Sequence, residues 1–327
     1  MDLAAIKPGL LTTRSAMHEL FGGGSQGGII IPKHSPNILI YTDHDSGKKY
    51  GYEDGWLEEE DEIGPIFEYT GQGTRGDQTF LGQRGSRNAA VLYHADAGKS
   101  LRVFMAAGRV ANSRSSAKQQ RYVGEFELDA QLPYTVRQAL DEERKPRLII
   151  VFRLRPKGAF ERLTKDVITR AEVTEPQKVS AEVVTTKMVE PRRKRASESR
   201  RAAQPSYIAD LRQAQLREEY LAELTKRGHE VCAFHVKISG STTTLTTDLY
   251  DATERELYAI RGSSTREEVR TAVGQLKDFA RHLKSQNPKL TTLLPEKPQG
   301  DLVGFLHAEG IDLVYSDANG YTRCPVS

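Results

Sequence analysis

What this 327-residue sequence lacks excludes several classes of protein. Its only cysteines are Cys232 and Cys324, too few for a disulfide framework or for a zinc site made of thiolates. No apolar run is as long as a membrane span, and residues 1–21 lack the apolar block of a signal peptide. We therefore expect a cytoplasmic protein that does not associate with a membrane.

The sequence also lacks a strong excess of charge of either sign. Its 47 Lys and Arg residues stand against 44 Asp and Glu residues, which gives a formal net charge of +3. Such a balance permits nucleic-acid binding without arguing for it, because an acidic segment can mask a basic face elsewhere. The length favours two domains, each large enough for a core of its own.

Aromatic residues make up only 7% of the chain, but one short stretch concentrates five of them: Tyr50, Tyr52, Trp56, Phe67 and Tyr69. Asp54 and Thr70 place a carboxylate and a hydroxyl beside these rings. Two aromatic faces with such groups between them form a slot for a planar polar ring, as in proteins that extrude a nucleobase. A carboxylate also accepts a hydrogen bond from the amine of cytosine. The alternative is a β-hairpin whose aromatic residues are core.

The order of these residues resembles a known family. Tyr52-Glu53-Asp54-Gly55, followed by Phe67-x-Tyr69-Thr70-Gly71-x-Gly73, is similar to the SET- and RING-associated (SRA) domain, also called the YDG domain. Members flip a modified cytosine, usually 5-methylcytosine, out of the duplex. The resemblance implies that Tyr52 and Tyr69 stack on the base, that Asp54 reads its amine, and that Thr70 helps to fix its edge. We add Trp56 as a further base-binding aromatic residue.

The resemblance continues downstream and has two departures. Asp77-Gln78 and the segment 85–90 are similar to the family's later Gln and Gly-Asn-x-Ala-Leu stretch. The spacer between the two halves is longer than in the family pattern and is acidic over residues 58–62. Gly55 stands where a second acidic residue is common, so the neighbour Glu53 is an alternative to Asp54.

The first half of the chain is predicted to form a helix within residues 1–21, followed by strands. The apolar or alternating runs that predict strands are 29–31, 38–41, 101–105, 122–128 and 147–154. Many short strands with glycine-rich turns favour a sheet curled into a barrel, and the resemblance implies the same architecture.

Arginines follow the glycine- and serine-rich connections of this half: Arg75, Arg84, Arg87, Arg109 and Arg114. Arginines in loops can neutralise DNA phosphates, and one can enter the gap that a flipped base leaves. The alternative is ordinary solvated surface charge.

Residues 158–204 are predicted to be a linker between a domain at 1–157 and another at 205–327. The linker ends in Arg192-Arg193-Lys194-Arg195 and Arg200-Arg201. A flexible solvated connection is the favoured interpretation, and a basic strap that adds DNA affinity is the alternative. Within it, residues 179–189 could pair as a strand.

The last 123 residues predict a helix, three strands, and then alternating helix and strand, which is an α/β layer fold. With Asp248 on the second strand and Gln275 on the following helix, this order resembles the PD-(D/E)xK restriction-endonuclease fold. That family holds magnesium with an acid and then an acid-x-lysine pair. Here Ala259 stands where the second acid is expected and Arg261 where the lysine is expected, and neither replacement is equivalent.

We therefore expect an α+β protein with an N-terminal curled β-barrel that flips a base and a C-terminal endonuclease-like α/β domain with a degenerate centre. The expected partner is double-stranded DNA with a modified cytosine, in a homo-oligomer that needs no cofactor. The alternative function is a magnesium-dependent, modification-dependent restriction endonuclease whose site is rebuilt by Asp251, Glu254 or Glu256. A third hypothesis is an interaction module that binds no DNA.

Overall fold

The computed structural model describes residues 6–24, 26–109, 118–184 and 205–326, with the backbone alone at 45 and 205–208. The chain divides into two compact units, the first ending at Arg170 and the second starting at Ala171; the short segment Ser241–Thr243 groups with the first. Each unit has its own sheet, which confirms the mixed α+β class. Among the described residues, no helix is both long and apolar enough to span a membrane.

In the first unit, the described residues form nine strands and three helices. The strands are β1 (Leu11–Thr12), β2 (Ile29–Ile30), β3 (Asn37–Thr42), β4 (Gly55–Trp56), β5 (Phe67–Thr70), β6 (Ser100–Arg109), β7 (Lys118–Leu128), β8 (Tyr134–Leu140) and β9 (Pro146–Phe160). The helices are α1 (Arg14–Phe21), α2 (His44–Lys48) and α3 (Gly82–Leu92), and a 3-10 helix covers Thr164–Asp166. The predicted N-terminal helix and the five predicted strands are confirmed, with shifted ends.

The first sheet runs in the order β2-β3-β6-β7-β9-β5-β4, with β1 added on β7 and β8 on β9. Among the strands described here, β3 and β6 pair in parallel and the other pairs are antiparallel. The path is open, so the described strands form no closed barrel. The register shifts on either side of β7, and such bulges bend a sheet. The curl into a barrel stays a prediction.

Apolar side chains cover both faces of this sheet, which explains the unbroken apolar run of β3, whose six residues are all buried. On one face α1 packs Met17 and Phe21 against Leu39, Tyr41 and their neighbours. The Thr13 hydroxyl caps α1 by accepting from the Ala16 amide at 3.1 Å.

The acidic segment 58–62 pairs with arginines of its own unit. Three of its carboxylates form ion pairs: Glu58 with Arg170, Glu60 with Arg162, and Asp61 with Arg155. Arg155 is itself buried and also donates to Asp129 at 2.7 Å. The segment is therefore fastened along β9 and the chain that follows it.

The second unit has eight strands and three helices within residues 171–184 and 205–326. The strands are β10 (Glu175–Ser180), β11 (Val231–Lys237), β12 (Thr244–Thr246), β13 (Leu249–Asp251), β14 (Glu256–Ile260), β15 (Lys289–Leu294), β16 (Ile311–Asp317) and β17 (Gly320–Cys324). The helices are α4 (Pro205–Lys226), α5 (Arg266–His282) and α6 (Gly300–Ala308), with a 3-10 turn at Ala181–Val184. The sheet order is β10-β11-β13-β14-β15-β16-β17, with β12 on β11.

Part of the predicted linker is ordered. Strand β9 continues to Phe160, and β10 pairs antiparallel with β11, so the strand lies earlier than the predicted 179–189. The basic groups 192–195 and 200–201 lie outside the described residues. The domain boundaries at 157 and 205 stay predictions.

Helices cover the two faces of the second sheet. Leu257 and Ala259 of β14 pack with the apolar stripe of α5, while Tyr258 and Ile260 pack with α4. Successive strand residues point to opposite faces, so α5 and α4 lie on opposite sides. The predicted α/β layer arrangement is confirmed at this level.

Candidate base-binding site

The Asp54 carboxylate is buried at the point where β4 begins and β5 ends. Both of its oxygens accept hydrogen bonds. Its Oδ2 accepts from the Thr42 hydroxyl at 2.6 Å, and its Oδ1 accepts from the Thr70 amide at 2.8 Å. Burial raises the pKa of the Asp54 carboxyl, although the hydrogen bonds from Thr42 and Thr70 oppose the rise. This is an oriented acceptor in a protected position.

Tyr52 lies half-buried, and its hydroxyl is hydrogen-bonded on every side. It donates to the Gly73 carbonyl, accepts from Arg147 Nη2 at 2.6 Å, and accepts from Gln78 Nε2 at 3.3 Å. The Arg147 guanidinium lies 5.4 Å from the centre of the Tyr52 ring. The orientation of this ring is therefore set by the chain around it.

Tyr69 lies on β5 and is only 3% exposed. Burial, and after it the Asp54 carboxylate, raise the pKa of Tyr69 well above its ordinary value. The same carboxylate acts on the pKa of Tyr52, so the three groups are neighbours. A Cβ on Gly28 would lie 2.5 Å from the Tyr69 hydroxyl oxygen, so the backbone there lies close to the hydroxyl end of the side chain. The structure thus brings together Tyr52, Asp54, Tyr69 and Thr70.

Trp56 does not share this position. Its side chain is fully buried, with ring centres 5.3 Å from Phe67, 5.7 Å from Phe126 and 5.3 Å from Phe160. Because aromatic rings enclose it, no face is left for a base. Trp56 is a core residue, and we remove it from the base-binding set.

Buried amides hold the loop between β5 and α3. Asn88 Oδ1 accepts from the Gln72 amide at 2.7 Å, and its Nδ2 donates to the carbonyls of Gln72 and Thr79 at 3.1 Å each. Gln78 Nε2 donates to the Gly71 carbonyl at 2.6 Å. A Cβ on Gly71 would lie 2.9 Å from Gln78 Oε1, so only glycine fits without a shift. The Gln and Asn of the downstream motif therefore shape this loop.

Three of the predicted arginines lie together on this loop and on α3. Arg84 donates to the Arg75 carbonyl at 2.7 Å, and Arg87 donates to Gln72 Oε1 at 3.2 Å. Arg75 is largely exposed and pairs with Glu142 at 3.0 Å. Arg109 instead ends β6, across from Lys118. Arg114 lies outside the described residues.

Sequence reasoning missed two further arginines near the site, Arg147 and Arg14. Arg14 donates to the Gly27 carbonyl at 2.7 Å, and its guanidinium lies 4.4 Å from the centre of the Tyr41 ring. Burial lowers the pKa of Arg14. It lies in the helix α1, which carried no motif, so no sequence signal marked it.

A sequence model of the ScoMcrA-like SRA domain matches residues 9–175, which are 167 of the 327 residues. The chain belongs to this SRA family. The match contains every residue of the site above, so the resemblance inferred from the tyrosine, aspartate and glycine pattern is confirmed. No match is found among curated protein sequences.

Solved structures show weaker likeness. The sulfur-binding and SRA domains of ScoMcrA with phosphorothioated DNA share 17% identity over 47% of this chain and 40% of that one, with a TM-score of 0.34. The type IV restriction endonuclease ScoMcrA shares 21% identity over 48% of this chain and 27% of that one, with a TM-score of 0.35. The SUVH5 SRA–hemimethylated CG DNA complex shares 17% over 49% and 94%, with a TM-score of 0.30. These scores are low, and the assignment rests on the family model.

The predicted degenerate centre lies in the second unit, outside the SRA match. Asp248 Oδ2 accepts from the Ile260 amide at 2.9 Å, and Arg261 approaches the same carboxylate at 4.0 Å. Arg261 also donates to Gln275 Oε1. Ala259 is buried in the core beside α5. The structure thus brings Asp248, Arg261 and Gln275 together, while Ala259 offers no ligand.

A second arginine, Arg217, lies at this centre, and no feature of the sequence had indicated it. Arg217 of α4 donates to Asp248 Oδ1 at 3.3 Å and to the Val184 carbonyl at 2.9 Å. Arg217 and Arg261 therefore share one carboxylate, and both are largely buried. Two guanidinium groups therefore lie against Asp248, and a further carboxylate, Glu268, lies 3.6 Å from Arg261 Nε.

The acids that could rebuild the centre lie at the other end of the strands. Asp251 Oδ1 accepts from the amides of Thr253 and Glu254, as a turn residue does. Glu256 is bound by both Nη atoms of Arg323, at 2.7 and 2.8 Å. Glu256 and Arg261 are five positions apart, about 17 Å along a strand. Asp251, Glu254 and Glu256 instead line a separate cavity of about 420 Å³.

Proposed function

We propose that the SRA domain binds double-stranded DNA that contains 5-methylcytosine and holds the modified base, flipped out of the duplex, between Tyr52 and Tyr69. The observation that carries this proposal is the buried Asp54 carboxylate, which is fixed by Thr42 and Thr70 beside both tyrosines. A carboxylate has about four acceptor sites, and here the Thr42 hydroxyl, the Thr70 amide and the Thr70 side chain use three of them. The remaining capacity suits the amine of cytosine.

The basic group Arg75, Arg84 and Arg87 supplies the phosphate contacts of the proposal. It is carried by the loop that follows Thr70 and by α3, next to the candidate pocket. Neutralised phosphates give affinity for any sequence and fix the orientation of the duplex, while the pocket selects the modified base. Arg109 is a more distant candidate for the same role.

The experiment compares binding of duplexes that carry cytosine, 5-methylcytosine or 5-hydroxymethylcytosine at one position. Stacking on an unstacked base is worth about 1–3 kcal/mol by alanine substitution. We therefore expect Tyr69→Ala to lose roughly ten- to a hundredfold in affinity for the methylated duplex. Tyr315→Ala, in the second unit, is the matched control and should bind like wild type. Equal affinity of the wild type for cytosine and 5-methylcytosine would overturn the proposal.

We further propose that the second unit is an endonuclease-like domain with an incomplete metal centre. The order of α4, the antiparallel strands β11 to β14, α5 and β15 supports it, as does the meeting of Asp248, Arg261 and Gln275. In the alternative, a magnesium-dependent endonuclease, a second carboxylate would be needed beside Asp248. Among the described residues, two arginines lie against Asp248, and Glu268 pairs with Arg261 at 3.6 Å.

A further inference from the structure

Arg147 is a buried cation that donates hydrogen bonds to Tyr52 and to the loop beside the candidate pocket. It begins the long strand β9 and is 3% exposed. Its Nη2 donates to the Tyr52 hydroxyl at 2.6 Å, and its Nη1 donates to the carbonyls of Gly73 at 2.8 Å and Gly76 at 3.3 Å. One planar fork therefore joins a pocket wall to the loop that carries Arg75.

This arrangement differs from that of the other buried arginines of the domain. Arg121 and Arg155 each pair with a carboxylate. Within the described ranges, Arg147 has no carboxylate within ion-pair distance, and its donors meet neutral oxygens only. A buried charge without a counter-charge is costly, so packing alone is a poor reason for an arginine here.

We propose that Arg147 is a positioning residue for base recognition. Through the Tyr52 hydroxyl it fixes the plane of the ring, and through Gly73 and Gly76 it holds the loop beside that ring. A ring that is already ordered loses less conformational freedom when it stacks on a base. The inference rests on the proposed function, in which Tyr52 is one wall of the pocket.

The test measures affinity for methylated and unmethylated duplexes in wild type, Arg147→Met, Tyr52→Phe and the double variant. Methionine keeps most of the apolar stem and removes the donors, while phenylalanine keeps the ring and removes the hydroxyl. We expect each single variant to lose about tenfold on the methylated duplex, the effect of one buried hydrogen bond to a charged group. Affinity for the unmethylated duplex should change little. Because both changes cut the same bond, the double variant should be no weaker than the weaker single variant.

The matched control is Arg137→Met. Arg137 is half-buried on the neighbouring strand β8 and pairs with Glu68 at 2.6 Å. Glu68 precedes Tyr69 on β5, so the two side chains point to opposite faces. This variant should lower stability without changing the ratio of the two affinities. Should Arg147→Met not fold, Tyr52→Phe still tests the same hydroxyl with Arg147 in place.

Three results would overturn the inference while leaving the proposed function intact, provided that Tyr69→Ala still abolishes discrimination. The first is unchanged discrimination in both Arg147→Met and Tyr52→Phe. The second is an equal loss on both duplexes in Arg147→Met, as for a purely structural residue. The third is an additive double variant, which would show that the two side chains act independently. A wild type that does not discriminate would instead remove the proposed function.

Discussion

This site differs from an ordinary aromatic hairpin because it contains a buried polar side chain whose hydrogen-bond partners are part of the fold. Asp54 has its carboxylate held by Thr42 and Thr70, whereas its neighbour Glu53 is exposed. The choice between the two acids, open from sequence, therefore favours Asp54. Burial is what the sequence could not show, because both side chains carry the same chemistry.

We expect Asp54→Ala to lose selectivity for cytosine. The amine of the flipped base would be left without an acceptor in a buried place, which costs about 1–3 kcal/mol, or roughly five- to a hundredfold in affinity. The measurement is the affinity for methylated duplex, with Glu53→Ala as the matched control. If Asp54→Ala and Glu53→Ala both bind the methylated duplex like wild type, the pocket is misassigned, even if Tyr69→Ala binds it weakly.

The same reasoning explains which site residues the sequence could identify. Tyr52, Asp54, Tyr69 and Thr70 were found because a short motif fixes their spacing, and the family match confirms the motif. Trp56 lies between them in sequence, but its environment depends on Phe126 and Phe160, which are far along the chain. Arg147 was missed because it lies at the start of an apolar strand. A charged residue at that position is ordinarily interpreted as marking the end of the strand, not as part of a site.

At the scale of elements, strands with dense apolar runs were predictable, whereas the edge strand β10, which has no such run, was not. The run Asn37–Thr42 is buried on both faces and was found. Strand β10 pairs only with β11 and contains Pro176, which edge strands tolerate, so its composition looked like a linker. Helix α3 contains Gly82 and Gly85, which are poor helix formers, and its buried residues Asn88, Val91 and Leu92 tie it to the domain.

The acidic segment 58–62 should make the stability of the SRA domain depend on pH. The hydrogen bond from Arg155 lowers the pKa of Asp61 to about 2. Its unfolded-state pKa is about 3.9, so the folded state binds its proton less readily. The stabilisation is therefore present above about pH 4 and is lost as the pH falls towards about 2.

The measurement for this effect is the free energy of unfolding in urea between pH 2 and pH 6. We expect the difference between wild type and Asp61→Asn to be largest near pH 6 and to shrink below about pH 4. Glu62→Gln, in the same segment, is the control. A difference that stays constant down to pH 2 would show that the Asp61–Arg155 pair does not hold the segment in solution.

At the scale of the whole molecule, we expect more than one copy in the functional particle. Closed homo-oligomers are the common soluble assembly. Helix α4 is a candidate surface: its residues Leu216, Tyr220 and Leu224 pack on its own sheet, but its Leu211 is 55% exposed. Light scattering at micromolar concentration should give at least twice the mass of one chain, and Leu211→Ser should lower it. A monomeric mass for the wild type would contradict the expectation.

The last prediction is that the purified protein does not cut DNA. Magnesium must be held by carboxylates while it bridges the scissile phosphate. Asp248 already accepts from Arg217 at 3.3 Å and from the Ile260 amide at 2.9 Å, and Arg261 stands 4.0 Å away. Two positive charges at this distance repel a divalent cation, and the same charges attract a phosphate.

We therefore expect no nicking of methylated plasmid with magnesium or manganese, while the protein still binds that plasmid. Asp248→Asn is the control for contaminating nucleases, because nicking that persists in this variant comes from elsewhere. Arg261→Ala should weaken DNA binding if the second unit contacts a phosphate there. Metal-dependent nicking that is present in wild type and absent in Asp248→Asn would restore the endonuclease, with Asp248 as its metal ligand despite the two arginines.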